Sequence, residues 1–343
     1  MMKQSDLPVI DRAEVRPSWL STYEEEPLEP NLAIIDPHHH ISDAHWGGYF
    51  PDHLIDDVLS GHNIISTVFV QCGFGYRSSG PKELRPVGET EKVVALAIIA
   101  NSRQKHTEIC KGIVGFADLS LGHEVDAVLS AQVEAGHGHL RGIRFGAAAH
   151  EKFRYGILTA PPLHLYTNTR FRRGFSRLSS YGLTFDSWSY HTQLDELYDL
   201  AKCFPQTEVV VDHVGVPLGV GPYTVKSPEV FGEWRRLMVR LSSLPNVYVK
   251  LGGLGMSLFG FDFHLRANPP SSNELAKAWG PYINTCIDIF GPSRCMFESN
   301  FPVDKGTCSY QVLWNAFKRI ASSMSEDEKS QLFSKTAAQV YRL

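Results

Sequence analysis

The sequence has no CxxC pair, no apolar run long enough to span a bilayer and no excess of basic charge. Each absence removes a class of protein. Its six cysteines (Cys72, Cys110, Cys203, Cys286, Cys295, Cys308) are scattered along 343 residues. That distribution argues against a zinc ribbon or a secreted disulfide scaffold and for a reducing, cytoplasmic setting. Most of the six read as small buried hydrophobes. The net charge is −4, which gives no basic field for nucleic acid or an anionic membrane. Neither an internal repeat nor a low-complexity tract is present. The stretch from Met1 to Pro30 contains Glu24-Glu25-Glu26 and no apolar segment of signal-peptide length,. A small-molecule substrate is the expected partner, and a homo-oligomer is compatible with everything above.

Hydrophobic residues make up 43% and charged residues 20%, the profile of a globular chain that buries a large core without staples. Short β-branched runs alternate with longer amphipathic stretches. Eight runs read as strands: 32–36, 66–71, 112–118, 140–145, 183–187, 208–212, 246–251 and 294–299. Helical spacing lies between them, for instance over 192–203 and 229–242, and a terminal helix over 325–343 starts with Ser325 and Glu328 at capping-box distance,. Eight such units favour a closed barrel over an open sheet. The expected fold is therefore α/β, one (β/α)8 TIM-type barrel over residues 32–343 preceded by an arm, 1–31. Two long βα loops, Ala147 to Arg177 and Gly252 to Asn273, have the length of functional segments,.

Histidines gather where strands are predicted to end, which in such barrels is the catalytic face. The first strand runs into His38-His39-His40. Alternate residues of an extended segment share a face, so His38 and His40 point together while His39 points elsewhere. His213 closes the sixth strand, and His191 follows the fifth, either lining a pocket or merely starting a helix. Trp188, Tyr190 and the run Phe259-Gly260-Phe261-Asp262-Phe263-His264 can supply an aromatic pocket, with His264 on a lid, or simply pack loops,. Glu89 and Glu91 precede an apolar run and read as a helix start favoured by the macrodipole.

Six segments in order carry a resemblance: Ile35-Asp36-Pro37-His38-His39-His40, Gly88-Glu89-Thr90-Glu91, Gly142-Ile143-Arg144, Asp212-His213-Val214-Gly215, Asn246-Val247-Tyr248-Val249-Lys250-Leu251 and Met296-Phe297-Glu298-Ser299-Asn300-Phe301-Pro302. The chain from about residue 32 onward resembles the amidohydrolase-2 family, in the branch of sugar-lactone and 2-pyrone-4,6-dicarboxylate lactonases. The resemblance implies a barrel hydrolase. It places the family's strand-one pair on His38 and His40, its strand-six histidine on His213, and a carboxylate-holding arginine on Arg144. It also implies that His38, His40 and His213 are the ligands if a metal is bound.

One departure bears on the mechanism. Lactonase relatives usually close strand eight with Gly-Ser-Asp-Phe-Pro, whereas here the segment is Glu298-Ser299-Asn300-Phe301-Pro302. An amide is no base and a poor metal ligand. Glu298, two residues earlier on the same face, is one substitute base. Asp304 in the following loop is another. Lys250, on the adjacent strand, either tunes Glu298 and touches substrate or forms with it a buried ion pair in the barrel. The resulting expectation is hydrolysis of a lactone or related ester of a small carboxylated or hydroxylated ring, with the histidines polarising the carbonyl. The cofactor is expected to be none, or one weakly held divalent ion, zinc first. A decarboxylase or hydratase on the same scaffold and a non-catalytic ligand-binding barrel are the alternatives.

Overall fold

A computed structural model describes residues 7–43, 48–156, 161–225 and 227–343. The first six residues of the arm and 157–160 of the first long loop lie outside the described residues. Eight strands form one parallel sheet: β1 (Ala33–His39), β2 (Asn63–Val70), β3 (Glu108–Gly115), β4 (Leu140–Arg144), β5 (Thr184–Ser187), β6 (Val209–Val211), β7 (Val247–Leu251) and β8 (Cys295–Phe297). Neighbours in sequence are neighbours in space throughout. The sheet closes at its C-terminal rim, where Asn300 N donates to His38 O (2.8 Å) and His40 N donates to Phe301 O (2.7 Å). A helix follows each strand: α1 (Pro51–Val58), α2 (Val87–Arg103), α3 (Val125–Ala135), α4 (Thr169–Phe175), α5 (Leu194–Cys203), α6 (Ser227–Ser242), α7 (Ser272–Phe290) and α8 (Tyr310–Ile320). The result is the (β/α)8 barrel expected from the alternation, and no helix of the described residues is long and apolar enough to cross a membrane.

Strand parity separates two cores. Val209, Val211, Val247, Val249, Cys295 and Phe297 face outward into the large cluster shared with the helices. Ile35, Val68, Val114, Val210, Tyr248 and Met296 belong to a second cluster with Ala337, Val340 and Tyr341. These last three come from the C-terminal segment. It begins with the expected Ser325–Glu328 capping box, runs through a π-helical turn at Gln331–Lys335 and ends as helix Thr336–Tyr341. It therefore plugs the barrel floor. All six cysteines are free; Cys203 is exposed and the other five are small buried core residues.

The arm is docked on the catalytic face. Val9–Ile10 pairs in parallel with Arg154–Tyr155 of the first long loop. Ser257 Oγ, in the second long loop, donates to Asp11 O (2.6 Å). A Cβ on Gly306 would lie 2.5 Å from Ala13 O, so the loop after β8 also accepts the arm only by lacking a side chain there.

Candidate functional site

On each inner face the residue type changes towards the C-terminal rim. Val210 is followed by Asp212, Tyr248 by Lys250, Met296 by Glu298, Thr184 by Asp186 and Gly142 by Arg144. A charged layer thus sits on an apolar one. Lys250 Nζ lies 2.7 Å from Asp186 Oδ2, 3.1 Å from Asp212 Oδ1 and 3.2 Å from His38 Nδ1. Tyr341 OH donates to Asp186 Oδ2 (2.7 Å), tying the floor plug to the layer. Burial alone would discharge the ammonium, but the carboxylates of Asp186 and Asp212 raise its pKa instead. The sequence paired Lys250 with Glu298. Its ion-pair partners are the two aspartates, because those are the inner residues of β5 and of the turn that ends β6.

Glu298, just past β8, belongs to the histidines. Its Oε1 accepts from His213 Nδ1 (2.6 Å) and from His213 N (3.1 Å), and its Oε2 lies 2.8 Å from His38 Nδ1. Burial pushes the carboxyl upward, but the imidazoles of His213 and His38 outweigh it and hold the group at about 2. Glu298 is therefore ionised and cannot be an effective proton acceptor near neutrality. Burial, followed by the charge of Lys250, puts His38 well below its usual range, so it is neutral. Two glycines make room: a Cβ on Gly252 would be 2.5 Å from Glu298 Cγ, and one on Gly253 would be 2.5 Å from His213 Nδ1.

His213 starts an unusual backbone segment. His213, Val214, Gly215 and Val216 all have positive φ (54°, 49°, 71° and 41°), a conformation costly for β-branched residues and typical of functional turns. It is held by Trp234 Nε1 donating to Val214 O (2.7 Å), by His191 N donating to Val216 O (3.1 Å) and by Leu218 N donating to His191 Nδ1 (3.2 Å). His191 thus braces the turn from behind and starts the short helix His191–Gln193, the second of its two sequence readings, and it is not among the described residues lining the cavity.

The cavity above holds about 310 Å³ of empty space and is lined by Arg12, His40, Arg144, Tyr155, Trp188, His213, Met256, Asn300 and Val303. His40 Nδ1 is 2.7 Å from Val70 O, which fixes the proton on Nδ1 and leaves Nε2 an acceptor. His40 therefore cannot polarise a carbonyl by donation. Arg144 is fixed by Nε donating to Gln71 Oε1 (3.0 Å) and by Nη2 donating to Gln71 O, with Nη1 3.7 Å from Asp212 Oδ2. Asn300 sits at φ 54° and its Nδ2 donates to Asp304 Oδ1 (2.8 Å). Asp304 Oδ2 accepts from Gly255 N (2.9 Å).

Asp304 is fully buried, and burial lifts its carboxyl to about 7 against these hydrogen bonds. It therefore binds a proton in the folded chain over a range, from about pH 4 to 7, where the unfolded chain has lost it. Its stabilising contribution is complete below about pH 4 and disappears as pH rises to about 7. The expected result is that Asp304→Asn flattens the fall in stability across that range by up to about one proton. Urea midpoints measured every half unit check it, and parallel wild-type and variant curves would refute it.

Several expectations need correction. His264 is not among the described residues that line the cavity; its carbonyl accepts from Arg16 Nη2. The phenylalanines beside it pack among themselves and on Tyr282, with Phe259 and Phe261 stacked at 6.2 Å. Glu89 does begin α2, yet it is buried, and its Oε1 accepts from the N–H groups of Cys72, Gly73 and Phe74 at 2.8–2.9 Å. It holds the loop carrying Gln71, and so indirectly Arg144. Sequence reasoning missed Arg12, Tyr155, Met256, Asp186 and Asp212. The aspartates had a signal, an acidic residue breaking an apolar strand at an inward position. Arg12 had none.

Among the described residues, His38, His213 and Glu298 bring donor atoms within 4.8 Å of one another. The group shares His38 and His213 with the trio expected from the sequence and adds Glu298. Glu298 Oε2 and both Asp212 carboxylate oxygens are buried without an aligned hydrogen bond. Two imidazoles and a buried carboxylate, whose Oε2 lies 2.8 Å from His38 Nδ1, are a donor set that fits a divalent ion such as zinc.

The family model for amidohydrolases matches residues 35–343. An uncharacterized protein, y4mH, of Sinorhizobium fredii is 31% identical over 91% of this chain and 99% of its own. An L-fucono-1,5-lactonase of Burkholderia ambifaria is 23% identical over 90% of this chain and 95% of its own. The crystal structure of a zinc-bound amidohydrolase from Burkholderia multivorans shares the fold, with TM-score 0.67 at 22% identity over 91% of this chain and 99% of that one. The barrel, the inward histidines and the match over nine-tenths of the length agree, and the chain belongs to the amidohydrolase family.

Proposed function

We propose that the protein hydrolyses a lactone, with His213 as the base that activates water and Glu298 as the group that orients it. The observation that carries this reading is the 2.6 Å contact between Glu298 Oε1 and His213 Nδ1 behind a cavity that His213 lines. An ionised carboxylate at Nδ1 keeps the proton there and leaves Nε2 basic. Water attacks the lactone carbonyl as Nε2 takes its proton. The carbonyl oxygen gathers charge facing the donors Arg144 and Asn300, the latter held by Asp304. The ring C–O bond then breaks, the leaving alkoxide regains the proton from His213, and a hydroxy acid is released. Lactonases among the relatives support the substrate class.

His38, His213 and Glu298 would be the residues to hold a divalent ion; bound there it would supply Lewis acidity to the carbonyl in place of the base role of His213, since a ligating imidazole nitrogen cannot also take a proton. The Lys250 ammonium, 3.2 Å from His38 Nδ1, opposes a second cation there, so the ion is held weakly. Six free cysteines favour a cytoplasmic setting,. A panel of sugar, carboxylated and pyrone lactones, followed by acid release before and after dialysis against a chelator, tests the reading. Turnover of at least one lactone is expected. A folded protein inert on every lactone, with or without added zinc, sinks it.

A further inference from the structure

The segment Gly88-Glu89-Thr90-Glu91 opens α2 and is not among the described residues lining the cavity. Glu89 is nevertheless only 1% exposed, and a buried carboxylate is costly unless its hydrogen bonds do something in return. Its place in the chain is where β2 leaves the sheet. Gln71 N still donates to Val114 O (2.8 Å) as a strand residue would. The next three N–H groups, of Cys72, Gly73 and Phe74, turn instead to Glu89 Oε1 at 2.9, 2.8 and 2.8 Å.

The helix start is built against this loop. A Cβ on Gly88 would lie 2.7 Å from Arg77 N and 2.9 Å from Gly75 O, so a glycine is what lets the two backbones approach. Thr90 Oγ1 donates to Gln132 Oε1, and Gln132 Nε2 donates to Phe116 O (2.7 Å). Those bonds tie α2 to α3 and to the end of β3, so Glu89 reaches the loop from a fixed base. Its other oxygen, Oε2, is buried without an aligned hydrogen-bond partner among the described residues. The hydrogen bonds of this carboxylate are directed at the loop.

One amide connects Glu89 to the cavity. The Cys72 N–H that donates to Glu89 and the Gln71 C=O that accepts from Arg144 Nη2 belong to the same peptide unit. A trans peptide is planar, with its N–H and C=O pointing opposite ways, so fixing one fixes the direction of the other. Buried hydrogen bonds in series also polarise and strengthen one another. Arg144 Nε donates to the side chain of the same residue, Gln71 Oε1, at 3.0 Å. Two anchors of the guanidinium therefore lie on the residue where the sheet ends and Glu89 takes over.

We propose that Glu89 is a positioning residue for the reaction: it locks the Gln71–Cys72 peptide, and that peptide aims the Arg144 guanidinium into the cavity. The kinetic consequence rests on the reading of Arg144 as a donor to the lactone carbonyl oxygen; the structural consequence rests on the hydrogen bonds alone.

Glu89→Met keeps the length of the side chain and removes the acceptor, whereas Glu89→Gln keeps a carbonyl oxygen for the three N–H groups. With the lactone that the panel identifies, Glu89→Met is expected to lower kcat about 30-fold with KM within about 3-fold, less than outright loss of a donor to the oxyanion. Glu89→Gln is expected to stay within about 5-fold of wild-type kcat. Glu91→Gln, which frees the exposed Arg77 farther along the loop, should change neither constant. On an Arg144→Gln background, Glu89→Met should cost no more than about a further 3-fold, because the two act through one group. Costs that multiply in the double variant overturn the proposal, as does a raised KM with kcat intact.

A second readout needs no substrate. The Arg144 Nε–H resonance, identified by its disappearance in Arg144→Gln, should exchange with water at least about 10-fold faster in Glu89→Met and within about 3-fold of wild type in Glu89→Gln. If no lactone turns over but the resonance responds in this way, the positioning role stands and the lactone reading falls. An unchanged resonance in folded Glu89→Met overturns the proposal. Should Glu89→Met not fold, Glu89→Asp draws the oxygen back by one methylene and carries the same test, with a loss of about 10-fold in kcat expected. Wild-type kcat and exchange in Glu89→Asp would then overturn it.

Discussion

Glu298→Gln is expected to lower kcat by about 10³-fold or more while leaving KM within a few-fold of wild type. The amide is isosteric, so the barrel rim and the contact with His213 N can persist. What disappears is the charge. Glu298 is held at about 2 by its two imidazoles, and by reciprocity it stabilises the imidazolium that forms when His213 takes a proton from water. An amide can also turn its NH2 towards His213 Nδ1, which moves the ring proton to Nε2 and blocks the base. Neither effect requires contact with bound substrate, hence the split between kcat and KM. Stopped-flow or steady-state kinetics on whichever lactone the panel identifies would check it. A variant retaining a tenth of wild-type kcat would show that His213 does not depend on Glu298, and the dyad would have to be abandoned.

The barrel was legible because parallel strands buried on both faces read as short β-branched runs, and helices alternate with them. All eight runs correspond to barrel strands. His38, His40, His213 and Arg144 were legible for a related reason: strand parity and strand ends dictate which side chains enter the rim. Where the chain leaves regular structure, parity fails. His191 and His264 lie beyond strand ends, and the first braces a left-handed turn while the second is not among the described residues lining the cavity. Arg12 reaches the cavity only through a two-residue ladder and close backbone approaches at Gly156 and Gly306, which leave no periodic trace. Lys250 and Glu298 were placed on the inner faces correctly but paired wrongly, because one-dimensional spacing does not rank the carboxylates around a ring. Asp186 and Asp212 are nearer.

Lys250→Met is expected to destabilise the chain by about 3–5 kcal/mol at pH 8, the cost of leaving buried carboxylates without their cation. The length of the side chain is kept, so the loss is electrostatic rather than a cavity. In wild type, burial pushes Asp212 upward, but Lys250, with smaller help from His213 and Arg144, outweighs it and holds the carboxyl below its ordinary value. That group therefore stabilises the fold above about pH 4 and loses its contribution as pH falls. Without the ammonium, burial and the mutual repulsion of Asp186 and Asp212 raise both carboxyls above their unfolded values. The sign then reverses: the variant regains stability as pH falls towards about 4, since protons can enter where Lys250 stood. Urea midpoints at pH 5 and pH 8 should thus differ far more from wild type at the higher pH. Adding Asp212→Asn to Lys250→Met removes one of the two stranded charges and should recover part of the loss at pH 8. A deficit equal at both pH values would mean that Lys250 fills space and does not neutralise the layer. That outcome would also remove the reason for weak metal binding beside His38, because the same ammonium is the charge that opposes the ion.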